Sequence, residues 1–168
     1  MNYIIDLLCI FLLAIIISQD FLQRKISWVL LPLLFFLFGI NTIAENGLEA
    51  TWSAFLYNTI FLILQLTMLT IYFSFRKRKF INIINTYMGI GDILFLLIVC
   101  VAFSPISFIY FYLCSLLMTL VVFFFYQKFY KTVSNEIPLA GGLALSLIFC
   151  LVSKYLNMTN FYFLLNIF

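Results

Sequence analysis

Histidine is absent from this 168-residue chain, and its absence excludes several kinds of catalytic site. Without histidine there is no Ser-His or Cys-His nucleophile. The cysteines are scattered through apolar stretches and form no Cys-x-x-Cys pair, so we expect no metal site. We interpret all four as small buried hydrophobic residues: Cys9, Cys100, Cys114 and Cys150.

Charged residues are also scarce, at 9% of the chain compared with about 25% in a soluble domain. Hydrophobic residues make up 66%, which is more than a buried core of this size can hold, so the remainder must face lipid. Within lipid the backbone has to satisfy its hydrogen bonds internally, and long apolar segments do so as helices. We therefore predict an all-α integral membrane protein that lies in a lipid bilayer.

Six apolar segments are long enough, or nearly so, to cross a bilayer, which takes about 20 residues. These segments are 2–19, 28–44, 52–75, 86–104, 105–127 and 137–154. The tail over 155–168 is about half a span long, and we expect it at the membrane interface or against the helices. No linker rich in proline, glycine or serine divides the chain. We predict one domain over 1–168, built as a bundle of about six transmembrane helices.

Basic residues are concentrated in alternate loops. The first, third and fifth loops contain eight of the nine, including the run Arg76-Lys77-Arg78-Lys79, and only Lys154 lies elsewhere. The second loop carries Glu45 and Glu49 and no basic residue. The positive-inside rule then places the first, third and fifth loops in the cytosol and the N-terminus outside. Basic residues spread over so many loops do not form a nucleic-acid surface.

Few acidic groups remain once the outer-loop glutamates are set aside. We expect Asp6 to be solvated near the outer mouth of the first span, and Asp20, Asp92 and Glu136 to lie toward the cytosolic side. Counting 1.5 Å per residue places Asp20 near the inner edge of the hydrocarbon core and Asp92 about 10 Å inside the cytosolic boundary, deeper than Asp20. An aspartate among apolar residues is costly in a bilayer and indicates function by default. The alternative is a structural ion pair between Asp92 and a basic residue of an adjacent loop.

Two aspartates on one side of a membrane can act as a pair. Adjacent carboxylates in a poorly solvated site share a proton, because both cannot easily be ionised. One can then activate a water while the other donates a proton to a scissile carbonyl, as paired aspartates do when they hydrolyse peptide bonds. Gly89 and Gly91 have no side chains, so a backbone or a peptide substrate can approach closely beside Asp92.

Three motifs, in order and covering nearly the whole chain, resemble those of type IV prepilin peptidases. Gly89-Ile90-Gly91-Asp92 matches the GxGD signature of intramembrane aspartyl proteases. The segment from Asp20 to Ser27 resembles the first motif of the family, in which basic residues follow an aspartate at the end of a span. Residues 136–145 resemble the proline- and glycine-containing start of its last helix.

The resemblance implies that Asp20 and Asp92 are the catalytic pair of an aspartic endopeptidase that needs neither a metal nor an organic cofactor. Its substrate would be a type IV prepilin or pseudopilin precursor, cut at the cytosolic face of a prokaryotic cytoplasmic membrane after a short basic leader. The product would serve a pilus, a secretion system or a competence filament. The motifs also provide residues that shape the site around the pair: Arg24, Lys25, Gly89, Gly91, Pro138, Gly141 and Gly142.

The chain departs from the family pattern near both acids. Ser27-Trp28 stands where Pro-Asn is usual, and Leu94 stands where a lysine commonly follows the GxGD aspartate. Larger bacterial members also have a cytosolic segment with two Cys-x-x-Cys pairs and methylate their product. This chain has no such segment, so we expect cleavage without methylation.

Two other functions are compatible with a buried aspartate. A small transporter or channel would use Asp92 as an ion-coupling carboxylate, which explains one acid but not Asp20 with its basic neighbours. A presenilin-like protease would pair GxGD with a Tyr-Asp motif, whereas Gln19 precedes Asp20 in this chain.

Overall fold

The computed structural model describes residues 3–23, 25–79, 88–129 and 138–155, and the regular elements within these ranges are α-helices. The helices are α1 (Tyr3–Gln23), α2 (Leu30–Asn46), α3 (Leu48–Lys77), α4 (Ile90–Ala102), α5 (Pro105–Phe129) and α6 (Leu139–Tyr155). The predicted all-helical class is confirmed, and each predicted span overlaps one helix. The predicted interfacial tail covers 155–168, and all of it after Tyr155 lies outside the described residues.

The helices differ in whether they are long enough to cross a membrane. Three of them, α1, α3 and α5, are long and apolar enough to do so. Helices α2 and α6 have 17 residues each, and α4 has 13. At 1.5 Å per residue, α4 rises only about 20 Å, less than the ~30 Å thickness of the hydrocarbon core. The predicted span over 86–104 is therefore too long for its helix, because Gly89 before it and Phe103 after it have extended backbones.

Helix α4 lies at the centre of the bundle, where it packs against α2, α3 and α6. Most apolar side chains in its C-terminal half are buried, with Phe95, Leu96 and Val99 fully inaccessible, whereas Ile90 at its start is exposed. Helix α1 packs along α6, and the two run antiparallel, because Asp20 contacts the start of α6 and Asp6 pairs with its last turn. The C-terminal end of α1 and the N-terminal ends of α4 and α6 therefore meet at one end of the bundle.

Two of the connections between helices are very short. Gly47 alone separates α2 from α3 and has a φ of 84°, a left-handed conformation that glycine adopts without steric cost. Pro105 opens α5, where its fixed φ suits the first helical position and its missing N–H costs no hydrogen bond. Because the first of these connections is so short, Glu45 and Glu49 lie on helices and not in the loop that we expected.

The end of the bundle opposite to Asp20 holds a second acidic site. Asp6 is only 4% exposed, so the expectation that it is solvated is wrong. Asn41 donates a hydrogen bond to Asp6 Oδ1 at 3.3 Å, and Lys154 Nζ lies 3.9 Å from Asp6 Oδ2. The same ammonium lies 3.0 Å from Glu45 Oε1. Lys154, the basic residue that departed from the loop pattern, is therefore the counter-ion of a buried aspartate, which would be costly if it were unpaired.

Candidate active site

Asp20 lies in the last turn of α1, where it is 7% exposed. Its Oδ2 accepts a hydrogen bond of 2.6 Å from the backbone N–H of Gly141, in the first turn of α6. A carboxylate that accepts a backbone N–H forms a charge-assisted hydrogen bond, which is shorter and stronger than one between neutral groups. The contact fixes the carboxylate of α1 against the beginning of a helix that is 121 residues away along the chain.

Asp92 is the third residue of α4, and both of its carboxylate oxygens accept backbone hydrogen bonds. Oδ2 accepts the N–H of Gly89 at 3.1 Å, in the manner of a capping box at the start of the helix. Oδ1 accepts the N–H of Ala140 at 3.0 Å. Asp92 thus connects the first turn of its own helix to the first turn of α6.

The two aspartates meet at the start of α6, where the neighbouring residues Ala140 and Gly141 donate to Asp92 and Asp20 respectively. Adjacent Cα atoms are about 3.8 Å apart, so one short stretch of backbone holds both acids. The carboxylates are close enough to interact electrostatically. The first N–H groups of a helix lack intrahelical partners and favour negative charge, which offsets part of the cost of placing the buried Asp20 beside the half-buried Asp92.

This geometry corrects the expected difference in depth between the two acids. The count from the sequence places Asp92 about 10 Å inside the cytosolic boundary, deeper than Asp20, because it takes 86–104 as a full span. Helix α4 begins only at Ile90, so Asp92 is in its first turn and at the level of the end of α1.

Gly141 allows the close approach of α1 to α6. A Cβ at this position would lie 2.9 Å from the Cδ2 and Cε2 atoms of Phe21 and 3.0 Å from Asp20 Oδ2. Carbon atoms pack best at about 3.5–4.0 Å, so a side chain here would displace the ring or the carboxylate. The glycine therefore fits the predicted role of shaping the site.

The other three glycines have different surroundings. A Cβ at Gly91 would lie 3.4 Å from Ile26 Cδ1, and one at Gly89 would lie 3.3 Å from Asp92 Oδ2. The space beside Gly91 thus adjoins Ile26, whereas the sequence suggested an opening for peptide. A Cβ at Gly142 would overlap the side chain of Thr119, at 2.7 Å from its Cβ. Gly142 therefore allows α5 and α6 to pack and does not face the acids.

The remaining predicted site residues lie around the start of α6 or outside the described ranges. Pro138 is buried and directly precedes α6, and its carbonyl accepts the N–H of Gly142 at 3.1 Å. Lys25 is exposed in the connection between α1 and α2. Arg24 and Glu136 lie outside the residues that the structure describes.

Sequence reasoning missed three residues of this site. Ala140 supplies one of the two amides, while Phe21 and Ile26 pack beside the glycines on either side of the acids. A backbone amide donor or an apolar packing partner cannot be predicted from residue type. Only their proximity to the motifs in sequence pointed to these residues, since each of the three lies within six residues of Asp20 or next to Gly141.

Among the described residues, no group of three or more histidine, cysteine or acidic side chains is placed to hold a metal ion. What the arrangement offers chemically is a pair of carboxylates held at one end of a helical bundle. The chain matches no protein-family model, and no match was found among curated proteins or solved structures.

Proposed function

We propose that this protein is a membrane-embedded aspartic endopeptidase that uses Asp20 and Asp92, as its resemblance to type IV prepilin peptidases implies. The observation that supports the proposal most directly is the placement of both carboxylates on the adjacent amides of Ala140 and Gly141, at 3.0 and 2.6 Å. Residues 72 positions apart in sequence, 92 minus 20, meet at one short stretch of backbone. A bundle that needed only to be stable would gain little from placing two like charges together.

The proposed reaction uses the pair as a general base and a general acid. One carboxylate takes a proton from water as the water oxygen bonds to the scissile carbonyl carbon, and the other, protonated, donates to the carbonyl oxygen. The C–N bond then breaks: the leaving nitrogen takes up a proton from the pair, and one hydroxyl group on the former carbonyl carbon gives its proton back to the pair, which restores its starting state. The α6 amides contribute by holding the carboxylates at a fixed separation, because correct placement of reacting groups supplies much of the rate.

The substrate we propose is a type IV prepilin-like precursor that is cut at the cytosolic face behind a short basic leader. In this proposal all six helices sit in a prokaryotic cytoplasmic membrane with the N-terminus outside, as the alternation of basic loops favours. Cleavage without methylation is proposed because the chain lacks the cysteine-rich segment.

The test replaces each acid by its neutral isostere and measures cleavage of a co-expressed precursor with a basic leader, a glycine and an apolar helix. We expect Asp20→Asn and Asp92→Asn each to lower the rate by about 10²–10⁴-fold, which is the usual contribution of a positioned acid or base. The matched control is Asp6→Asn, because Asp6 is also a buried aspartate of α1 but lies at the other end of the bundle.

Each variant is first shown to accumulate in membranes at the level of the parent protein. Loss of cleavage in the two site variants, with retention in Asp6→Asn, supports the proposal. Undiminished processing by either Asp20→Asn or Asp92→Asn would refute it.

A further inference from the structure

The C-terminal end of α4 is held by Asn58, a polar side chain of α3. Asn58 of α3 donates from its amide nitrogen to the carbonyl oxygens of Cys100 at 2.9 Å and Phe103 at 2.8 Å. Thr42 of α2 donates its single hydroxyl proton to the carbonyl oxygen of Phe38 in its own helix at 2.8 Å, so its 3.4 Å approach to the carbonyl oxygen of Val101 is only the weaker branch of a shared hydrogen bond. The last carbonyls of a helix have no intrahelical partner, so Asn58 supplies bonds that α4 itself lacks.

Asn58 is unusual for its helix. Only three residues of the 30-residue α3 are buried, and Asn58 is among them with 1% of its surface exposed. An amide in such surroundings is costly unless it is hydrogen-bonded, and a leucine would fill the same space without that cost. What a leucine cannot supply is the pair of hydrogen bonds to the end of α4.

These bonds act on Asp92 because α4 is short and continuous. Asp92 and Cys100 are eight residues apart on one helix, a rise of about 12 Å. The apolar contacts that surround α4 hold it by the fit of its side chains, whereas hydrogen bonds also depend on direction. Two hydrogen bonds to one amide group therefore favour one height and one rotation of α4, and thereby one location of its first turn.

We propose that Asn58 is a positioning residue: by anchoring the C-terminal end of α4, it sets the register of Asp92 against Asp20. The effect of Asn58 on catalysis rests on the proposed function. Its effect on geometry, that the two acids meet only when Asn58 bonds to α4, does not depend on any reaction.

The geometric part is tested in a protein that carries Asp20→Cys and Asp92→Cys, treated with a short thiol-specific bifunctional cross-linker. The product that joins positions 20 and 92 is identified by peptide mass. We expect a several-fold lower yield of this product when Asn58→Leu is added, because α4 loses its anchor. The matched control is Gln65→Leu: Gln65 lies on the same helix and donates at 2.8 Å to the hydroxyl of Tyr112 on α5, so its loss leaves α4 held.

The catalytic part is tested in the protein with both aspartates. A displacement of about 1 Å at a reacting group costs up to about 100-fold in rate, so we expect Asn58→Leu to lower kcat within that range and to change KM far less. Asn58→Gln keeps an amide that can donate two hydrogen bonds and should restore part of the kcat. A change that merely loosened the fold would not be rescued in this way.

An equal cross-linking yield with and without Asn58→Leu would overturn the inference, as would an equal loss in Gln65→Leu. If Asn58→Leu does not accumulate in membranes, Asn58→Ala provides the same test. It removes the same two hydrogen bonds without adding bulk, and an unchanged yield in this variant would overturn the proposal. If the cross-link depends on Asn58 but the parent protein cleaves no precursor, the proposed function fails and the positioning of Asp92 stands.

Discussion

The substitution Gly141→Ala examines how closely α1 must approach α6 for the proposed reaction. The added Cβ would lie 2.9 Å from two ring carbons of Phe21 and 3.0 Å from Asp20 Oδ2. Restoring carbon contacts of about 3.5–4.0 Å requires a retreat of roughly 0.6–1.1 Å. Phe21 and Asp20 are adjacent in the chain, so a movement of the ring away from α6 also moves the carboxylate.

A shift of this size has different effects on stability and on rate. Overpacking of a tight contact costs about 1–3 kcal/mol in the free energy of unfolding. The same displacement at a reacting group costs up to about 100-fold in rate. We therefore expect Gly141→Ala to fold with a lowered Tm in detergent, and to cleave the precursor up to about 100-fold more slowly, with the loss mainly in kcat.

The matched control is Gly91→Ala, a glycine of the GxGD motif whose added Cβ would lie 3.4 Å from Ile26 Cδ1, an ordinary contact. We expect it to retain most of its activity, since replacing glycine by alanine in a helix also gains about 0.5–1 kcal/mol. Both variants are assayed by the time course of leader removal on a gel, alongside thermal unfolding. Full activity in Gly141→Ala, or an equal loss in a well-folded Gly91→Ala, would refute this reasoning.

Two further substitutions test contacts away from the acids. Gly142→Ala should lower the Tm, because its Cβ would overlap Thr119. Adding Thr119→Gly removes the overlapping side chain and should recover most of the lost Tm. No recovery in the double variant would disprove the contact. Lys154→Met should also lower the Tm, because it leaves Asp6 buried without its cation. The double variant Lys154→Met/Asp6→Asn should have a higher Tm than Lys154→Met alone, because it no longer buries that charge. Additive losses measured by thermal unfolding would mean that the two side chains do not act as a pair.

The sequence predicted the helical elements well, because each apolar run had to form a helix to satisfy its own backbone. Their ends were less predictable. The extended backbone of Gly89 makes α4 begin only at Ile90, whereas hydropathy alone continues the span back to residue 86, and Gly47 replaces a predicted loop by a one-residue break. The number of consecutive apolar side chains indicates how long an apolar segment is. Where the helices begin and end within such segments depends on the backbone angles of single glycines.

The location of Asp6 could not be predicted from the sequence either. An acid near the start of a span is most simply solvated, and only the packing of α1 against α2 and α6 brings it to Asn41 and Lys154. The same applies to Asn58, whose partners are carbonyl groups of a helix more than 40 residues away. Backbone carbonyls are present at every residue, so no pattern in the sequence distinguishes those that a side chain will find.

The sequence by itself determined that the chain is helical and apolar enough to enter a membrane. It also singled out Asp20 and Asp92 as acidic residues that lie among apolar residues and not in a hydrophilic loop. Composition and charge suffice for this, because both depend on residue type alone. Only the tertiary structure decided that the two acids meet, and at which atoms. Their meeting depends on the backbone amides of Ala140 and Gly141 and on the absence of a side chain at Gly141, and these become a site only when α1, α4 and α6 pack together.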